Sequence, residues 1–339
     1  TTVLLVKNMS RRSGPGAVLA ALSLVISACA STPVKESAEP AESKSADSVA
    51  EGSDSSVFTL ELGESLGIGG VSPEIIDTAD GDFLLLATTM NQDKVYRSAD
   101  GTTFTPDPGM SLPMGSDYSL VQRPDGSWLL YFVSFDVPPG EPGEPGKPME
   151  PTPIDPSSVK KTVMVATSGD LKTFSPAQPT GIGQDKPGMA WGVPDTYVAP
   201  DGTIMMMWVD EVEGENWEVL RTASSGDGLT FTPSDGFVIS DGYVDPYIVR
   251  AEDGDWVALL STTPAPQRLP QKIFLARSRD GQVWDISPEP LLESSDRNYL
   301  DPGAVQTGPG EWLVILSTVE LDKALTGPYD YVSAILREQ

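Results

Sequence analysis

SADGTTF (98–104), SGDLKTF (168–174), SGDGLTF (225–231) and SRDGQVW (278–284) are four copies of one pattern, Ser-x-Asp-x-x-[Thr/Val]-[Phe/Trp], recurring at intervals of 70, 57 and 53 residues. Recurrence on that scale marks a fold assembled from repeated supersecondary units. The residue types say what each copy does. An Asp two residues past a Ser accepts backbone N–H bonds in a tight turn, and the closing aromatic packs between sheets. Asp100, Asp170, Asp227 and Asp280 are therefore expected to shape turns rather than to catalyse.

A second motif alternates with the first: an acid, a short strand-like run and a turn glycine, as PEIIDTADG, SDYSLVQRPDG, PDTYVAPDG, DPYIVRAEDG and DPGAVQTGPG. Each copy leads into a β-type run, FLLLATT, SWLLYFV, TIMMMWV, DWVALLS or EWLVILS. From the acids Glu74, Asp117, Asp195, Asp245 and Asp301 to the turn glycines Gly81, Gly126, Gly202, Gly254 and Gly310 the spacings are 7, 9, 7, 9 and 9. Strand side chains alternate faces, so spacings that differ by two keep the acid on one side when pairing is counted back from the turn. On this reading the five acids occupy equivalent places.

The unit reads strand, Asp-Gly turn, strand, variable loop, strand, Ser-x-Asp turn, strand, which is a four-stranded antiparallel blade. Five units predict an all-β fold, a five-bladed β-propeller. Ser333 stands 23 residues past Gly310 as Ser225 stands 23 past Gly202, so the last unit ends before a fourth strand. That strand is expected at the other end of the chain, where Phe58-Thr59 precedes Glu74 much as Phe104-Thr105 precedes Asp117. Pairing the first strand with the last blade would close the ring and remove an open edge.

The N-terminus is set apart from the fold. Lys7, Arg11 and Arg12 precede an apolar run, AVLAALSLVISA, that is too short for a usual membrane span and reads as an export signal. It ends in Ile26-Ser27-Ala28-Cys29, which resembles the bacterial lipobox; the resemblance implies cleavage before Cys29, the chain's only cysteine, and lipid attachment to it. The chain divides into a signal segment at 1–28, a Ser/Ala/Glu/Pro-rich tether at 29–56 and the propeller at 57–339. A flexible tether of that length spans about 30 Å. The expected location is the outer face of a bacterial membrane, held there through Cys29.

Residues 1–28 hold three of the 22 bases and none of the 49 acids, which leaves 19 bases and a net charge of −30 after cleavage. Such a chain is not expected to bind nucleic acid or to dock directly on anionic lipid. Histidine is absent, which excludes His-based triads and, with a lipid-linked cysteine, ordinary zinc sites. No Gly-x-Gly-x-x-Gly or P-loop sequence appears, so no cofactor is expected. An acidic ring of oxygens would suit a calcium or sodium ion, though no EF-hand spacing is present. The expected state is a monomer.

In a propeller the first strand of each blade lines the central axis, so the five acids are expected to converge on one funnel. Clustered carboxylates raise one another's pKa values and separate a protonated acid from an ionised base, the requirement for glycoside hydrolysis. Trp191, Tyr197, Tyr243, Tyr247 and Tyr299 lie beside them in sequence, and flat aromatic faces suit sugar rings. The alternative is that these acids bond local backbone N–H groups at strand entries. The irregular loops, Asn91 to Lys94, about Asp136 to Lys160 with its GEPGEPGKP stretch, Asp210 to Asn216, Thr263 to Gln271 and Glu320 to Tyr329, open on the acids' face.

The Ser-x-Asp motif resembles the Asp-box of sialidases, one residue shorter. With five units and acids in Asp-Pro contexts, residues 57–339 resemble the arabinanase, invertase and levansucrase group of five-bladed carbohydrate-active enzymes, the glycoside hydrolase family 43, 32 and 68 type. That resemblance implies three axial carboxylates: a base or nucleophile on the first blade, a modulating Asp, and an acid Glu on a later blade. Carried over, Glu74 takes the first place, Asp195 the second and Asp245 the third; the neighbouring axial acids Asp117 and Asp301 and the aromatics Trp191, Tyr243, Tyr247 and Tyr299 beside them are expected to bind substrate. The chain departs from the pattern, with Glu for Asp on the first blade, Asp for Glu on the fourth and no Glu-Gly-Pro motif; Glu211, Glu213 and Glu215 are further carboxylates on the rim. The expected partner is a glycan or other small molecule, bound and hydrolysed in the funnel. The alternative is a non-catalytic surface propeller binding a glycan or a protein. A sialidase-type enzyme is disfavoured, because only Arg123, Arg250 and Arg297 lie near the axial motifs.

Overall fold

The computed structural model describes residues 57–339 apart from 79, 90–93, 137–157, 188–190 and 325. Cys29, the signal and the tether, and most of the long loop after Asp136, lie outside the described residues. Strands are numbered in chain order. The first blade is β2 (Val71–Asp77), β3 (Phe83–Thr88), β4 (Val95–Ser98) and β5 (Thr105–Pro106). The second is β6 (Ser116–Gln122), β7 (Trp128–Phe135), β8 (Lys161–Ser168) and β9 (Gln178–Gly183). The third is β10 (Gly192–Val198), β11 (Ile204–Asp210), β12 (Val219–Ser225) and β13 (Thr232–Pro233). The fourth is β14 (Tyr243–Arg250), β15 (Trp256–Thr262), β16 (Ile273–Ser278) and β17 (Asp285–Ile286).

The fifth blade joins the two ends of the described chain. Its order is β1 (Phe58–Ser65), β20 (Asp330–Glu338), β19 (Glu311–Glu320) and β18 (Arg297–Gly308), all antiparallel, so the N-terminal strand closes the ring. Phe58 faces Glu338 across the seam, and its ring lies 6.2 Å from that of Trp312. One detail differs from the sequence reading. The residue of β20 in the place of Ser225 is Leu336, opposite Trp312, rather than Ser333. A longer loop between β19 and β20 supplies the extra residues.

Apolar side chains on both faces of the second strands explain why flat blades stack. Leu84 and Leu86 enter a core shared with the second blade, while Leu85 and Ala87 enter a core shared with the fifth. Likewise Leu129, Tyr131 and Val133 face the third blade and Leu130 and Phe132 the first. This is the period-two alternation of a strand buried on both sides. The described residues form five such cores, one at each interface between neighbouring blades.

The Ser-x-Asp turns form as the residue types predict. In each, the Ser Oγ accepts the N–H three residues on, at 2.8 to 2.9 Å, from Gly101, Leu171, Gly228 or Gly281. The Asp Oδ1 accepts the next two N–H groups, as Asp100 does from Thr102 and Thr103 at 2.8 and 2.9 Å. These bonds hold all four aspartates below the usual carboxylate range, Asp170 at about 2. The fourth position adopts φ near +70° where it is glycine. Leu171 holds φ +56° there and is buried in the core between the first two blades.

Candidate axial site

Each first strand carries a β-bulge near its start, where the register slips between Val71 and Glu74, Ser116 and Ser119, Gly192 and Asp195, Val244 and Tyr247, and Leu300 and Gly303. A bulge bends the strand and re-aims a side chain. At each one a single non-glycine residue sits in the left-handed region: Ser72 (φ 46°), Asp117 (51°), Val193 (45°), Asp245 (51°) and Asp301 (47°). These five are the true equivalents. Each lies nine residues before its turn glycine.

The five acids therefore do not form one ring. Asp117, Asp245 and Asp301 stand in the bulge tier, nearer the strand starts and the irregular loops. Glu74 and Asp195 stand two residues deeper, level with Ser119, Tyr247 and Gly303. The even difference in spacing did place all five on the axial side, but the register offset separates them along the axis.

The deeper tier fastens each blade to the next. Glu74 Oε1 accepts the N–H of Leu120 at 2.7 Å, Ser119 Oγ that of Thr196 at 3.1 Å, and Asp195 Oδ2 that of Ile248 at 2.7 Å. Tyr247 continues the series with a hydrogen bond to the backbone of Ala304. In every case the acceptor lies at one position and the N–H at the next position along the following blade. At the fifth interface Gly303 provides no acceptor, because a Cβ there would come within 2.2 Å of the Pro73 carbonyl oxygen. Tyr247 reaches past it instead, donating to Ile75 O at 3.3 Å and interacting with Glu74 of the first blade. Burial raises Glu74 well above the ordinary carboxylate range, reinforced by the charge of Asp195; burial pushes Asp195 up to about 8.

The bulge tier is different in kind. Ser72 bridges two of its acids, with its N–H donated to Asp301 Oδ2 at 3.1 Å and its Oγ to Asp117 Oδ1 at 2.8 Å. Asp117 also accepts from Ser116 Oγ at 3.0 Å. Asp245 and Asp301 are hydrogen-bonded to each other through their carboxyls, which requires a proton between them. Burial raises both; the neighbouring Asp301 charge drives Asp245 well above the usual range, and the bond from Asp245 holds Asp301 to about 6. The two carboxyls therefore titrate as one unit that shares a proton. Burial raises Asp117 too, opposed by its serine bonds and by the buried Lys161 ammonium. Lys161 Nζ donates to Trp191 O at 3.2 Å.

The two tiers enclose a cavity of about 20 Å³ lined by Ser72, Glu74, Asp117, Asp195, Tyr247 and Asp301, room for about one water. Among the described residues no three Asp, Glu, His or Cys side chains are grouped to hold a metal ion. The aromatics divide. Trp191 and Tyr299 are buried in the interblade cores, so their rings are committed to packing. Tyr247 is the interblade latch, and only Tyr243 is half-exposed, edge-on to Phe274 at 5.4 Å. Glu211, Glu213 and Glu215 are exposed on the rim.

Ser72 and Lys161 were not picked out from the sequence. The signal for Ser72 was present: aligning Pro73, Pro194, Pro246 and Pro302 brings Ser72, Val193, Asp245 and Asp301 into register. Lys161 carries no comparable mark, since it is brought to the axis by a third strand.

No family model and no curated protein matches this sequence. Among solved structures, the chain is similar to a thermostable family-43 glycoside hydrolase at 13% identity, covering 82% of this chain and 96% of that one, with a TM-score of 0.61. It is similar to an α-L-arabinofuranosidase from Podospora anserina, solved with cellotriose, at 11% identity over 83% and 97% of the two chains, TM-score 0.55. A protein of unknown function from Dyadobacter fermentans shares 19% identity over 83% and 98%, TM-score 0.52. Likeness at these identities establishes the fold: a five-bladed propeller of the kind seen in family-43 glycoside hydrolases.

Proposed function

We propose that this protein is an exported, Cys29-anchored propeller of the cell envelope that takes a glycan at the loop-face mouth of the axial channel and cleaves it with the bulge-tier carboxyls. The observation that carries the reading is the buried Asp245–Asp301 pair, whose carboxyls are hydrogen-bonded to each other and so share a proton in the bulge tier. An acid and a base of that kind are what cleavage of a glycosidic bond needs. In this assignment the Asp245–Asp301 pair supplies both the proton and the base, Asp117 lies beside it in the same tier, and Glu74 and Asp195 are structural. The fold of the similar glycoside hydrolases supports the substrate class.

A second reading, binding without cleavage, is favoured by the 20 Å³ cavity. A sugar ring does not fit between the acids and would stop above them. A glycan screen of the exported chain that scores binding and product release separates the two. Asp245→Asn and Asp301→Asn should abolish release while leaving binding measurable. Binding with no release by the parent protein would establish the second reading, and silence in both assays would remove the carbohydrate role for the glycans tested.

A further inference from the structure

A groove of about 530 Å³ opens between the second and third blades on the turn face, the side of the ring opposite the axial mouth. Its walls include Arg123 and Ser127 of the β6–β7 turn, Thr167 at the end of β8, Phe174 and Ser175 beyond it, and Leu229 of the third blade. The residue at the place of Arg123 in the other blades is Thr78, Ala199, Ala251 or Thr307, as the strand pairing aligns them, so the charge belongs to this interface alone. The Arg123 Nε–H is buried with no hydrogen-bond partner. No carboxylate among the described residues is ion-paired with Arg123. Asp125 is near enough to feel its charge, but turns its Oδ1 to the N–H and Oγ of Ser127, at 2.9 and 2.6 Å. A guanidinium left unpaired is unexpected in a chain with 49 acids and 22 bases, because a buried donor without an acceptor costs free energy that any nearby carboxylate would recover.

We propose that this groove binds a sugar acid, a hexuronate, with its carboxylate in the fork of the Arg123 guanidinium. The covered Nε–H stays out of reach of a ligand, and it is the two terminal Nη groups of the planar guanidinium that match a carboxylate through two parallel hydrogen bonds. Ser127, Thr167 and Ser175 line the groove; Ser127 Oγ donates its own proton to Asp125 and Ser175 Oγ to Pro176 O, so these oxygens are placed to accept from sugar hydroxyls, and Phe174 adds apolar lining for the C–H groups. The net charge selects a single negative charge on the ligand, since repulsion from an acidic protein grows with each further one. The groove is separate from the axial site, and its occupancy does not depend on what that site does.

The test is calorimetric titration of the exported chain with glucuronate and galacturonate as probes and glucose as the neutral control. Binding of a uronate, no binding of glucose, and a loss of at least about tenfold in Arg123→Gln support the site; tenfold corresponds to about 1.4 kcal/mol. Thr167→Phe, which puts a bulky ring in the groove lining and leaves Arg123 in place, should abolish binding while the melting temperature shows that the chain is folded. The proposal is overturned if neither uronate binds, if glucose binds as well as they do, or if binding survives both substitutions. Loss of binding in Asp245→Asn with retention in Arg123→Gln would assign the uronate to the mouth and overturn it equally.

Discussion

Two carboxylates that look alike in the sequence do different work because two residues separate them along the axis. Glu74 is held above the ordinary range by burial and still accepts the Leu120 N–H at 2.7 Å. A protonated carboxyl keeps a carbonyl oxygen for that bond, and glutamine mimics it. Glu74→Gln should therefore leave thermal stability nearly unchanged at neutral pH and improve it in alkali, where the glutamate is driven to ionise. Glu74→Ala removes the acceptor, strands the Leu120 N–H between two blades, and should cost about 1–3 kcal/mol in denaturant titration. Equal losses in both variants would contradict the latch role. Gly303 is the counterpart at the fifth interface, where close approach to Pro73 excludes any side chain and Tyr247 spans the gap.

At the level of strands and turns, most of the architecture was legible because local chemistry repeats. The four Ser-x-Asp turns, the Asp-Gly turns and the apolar second strands mark every blade, and the fourth strand of the last blade was correctly sought at the N-terminus. What misled was treating spacings of seven and nine as equivalent. All five first strands carry the same bulge, so acids seven and nine residues before the turn share a face but stand two residues apart along the strand, in two tiers. Constant spacing to the turn glycine was the better guide, and it points to Ser72 and Val193, which carry no carboxylate. The candidate site was thus legible as a set of axial acids, but its division into latch and proton-sharing pair depends on cross-blade partners 40 or more residues away, such as Ser72 and Asp117, 45 apart. Closure by β1 carries its own consequence. Deleting residues up to Ser65 would expose the edge of β20 and uncover Trp312, and an unpaired edge seeks another chain. The truncated protein should elute as oligomers or aggregate in size-exclusion chromatography, and a stable monomer would show that the seam is dispensable.

Across the whole molecule the buried acids and the surface acids set opposite pH limits on stability. Glu74, Asp117, Asp195, Asp245 and Asp301 have raised pKa values in the folded state, about 8 for Asp195 and about 6 for Asp301. As pH rises past about 4 the unfolded chain releases these protons while the folded chain keeps them. Stability from this source is complete below that pH and falls as pH climbs through the folded values. The turn aspartates act the other way: their depressed values favour the fold above about 4, and that contribution is lost as pH falls toward the folded value of about 2 at Asp170. The melting temperature should therefore peak between about pH 4 and 5 and decline steadily to pH 9, with Asp195→Asn flattening the decline near pH 8. Surface repulsion in so acidic a chain bends the profile in the same direction, but about 1 M salt reduces the Debye length to about 3 Å and removes it. A decline that persists in high salt assigns the effect to the axial acids; a melting temperature that rises from pH 5 to 8 would mean that they are ionised and paired in the folded protein.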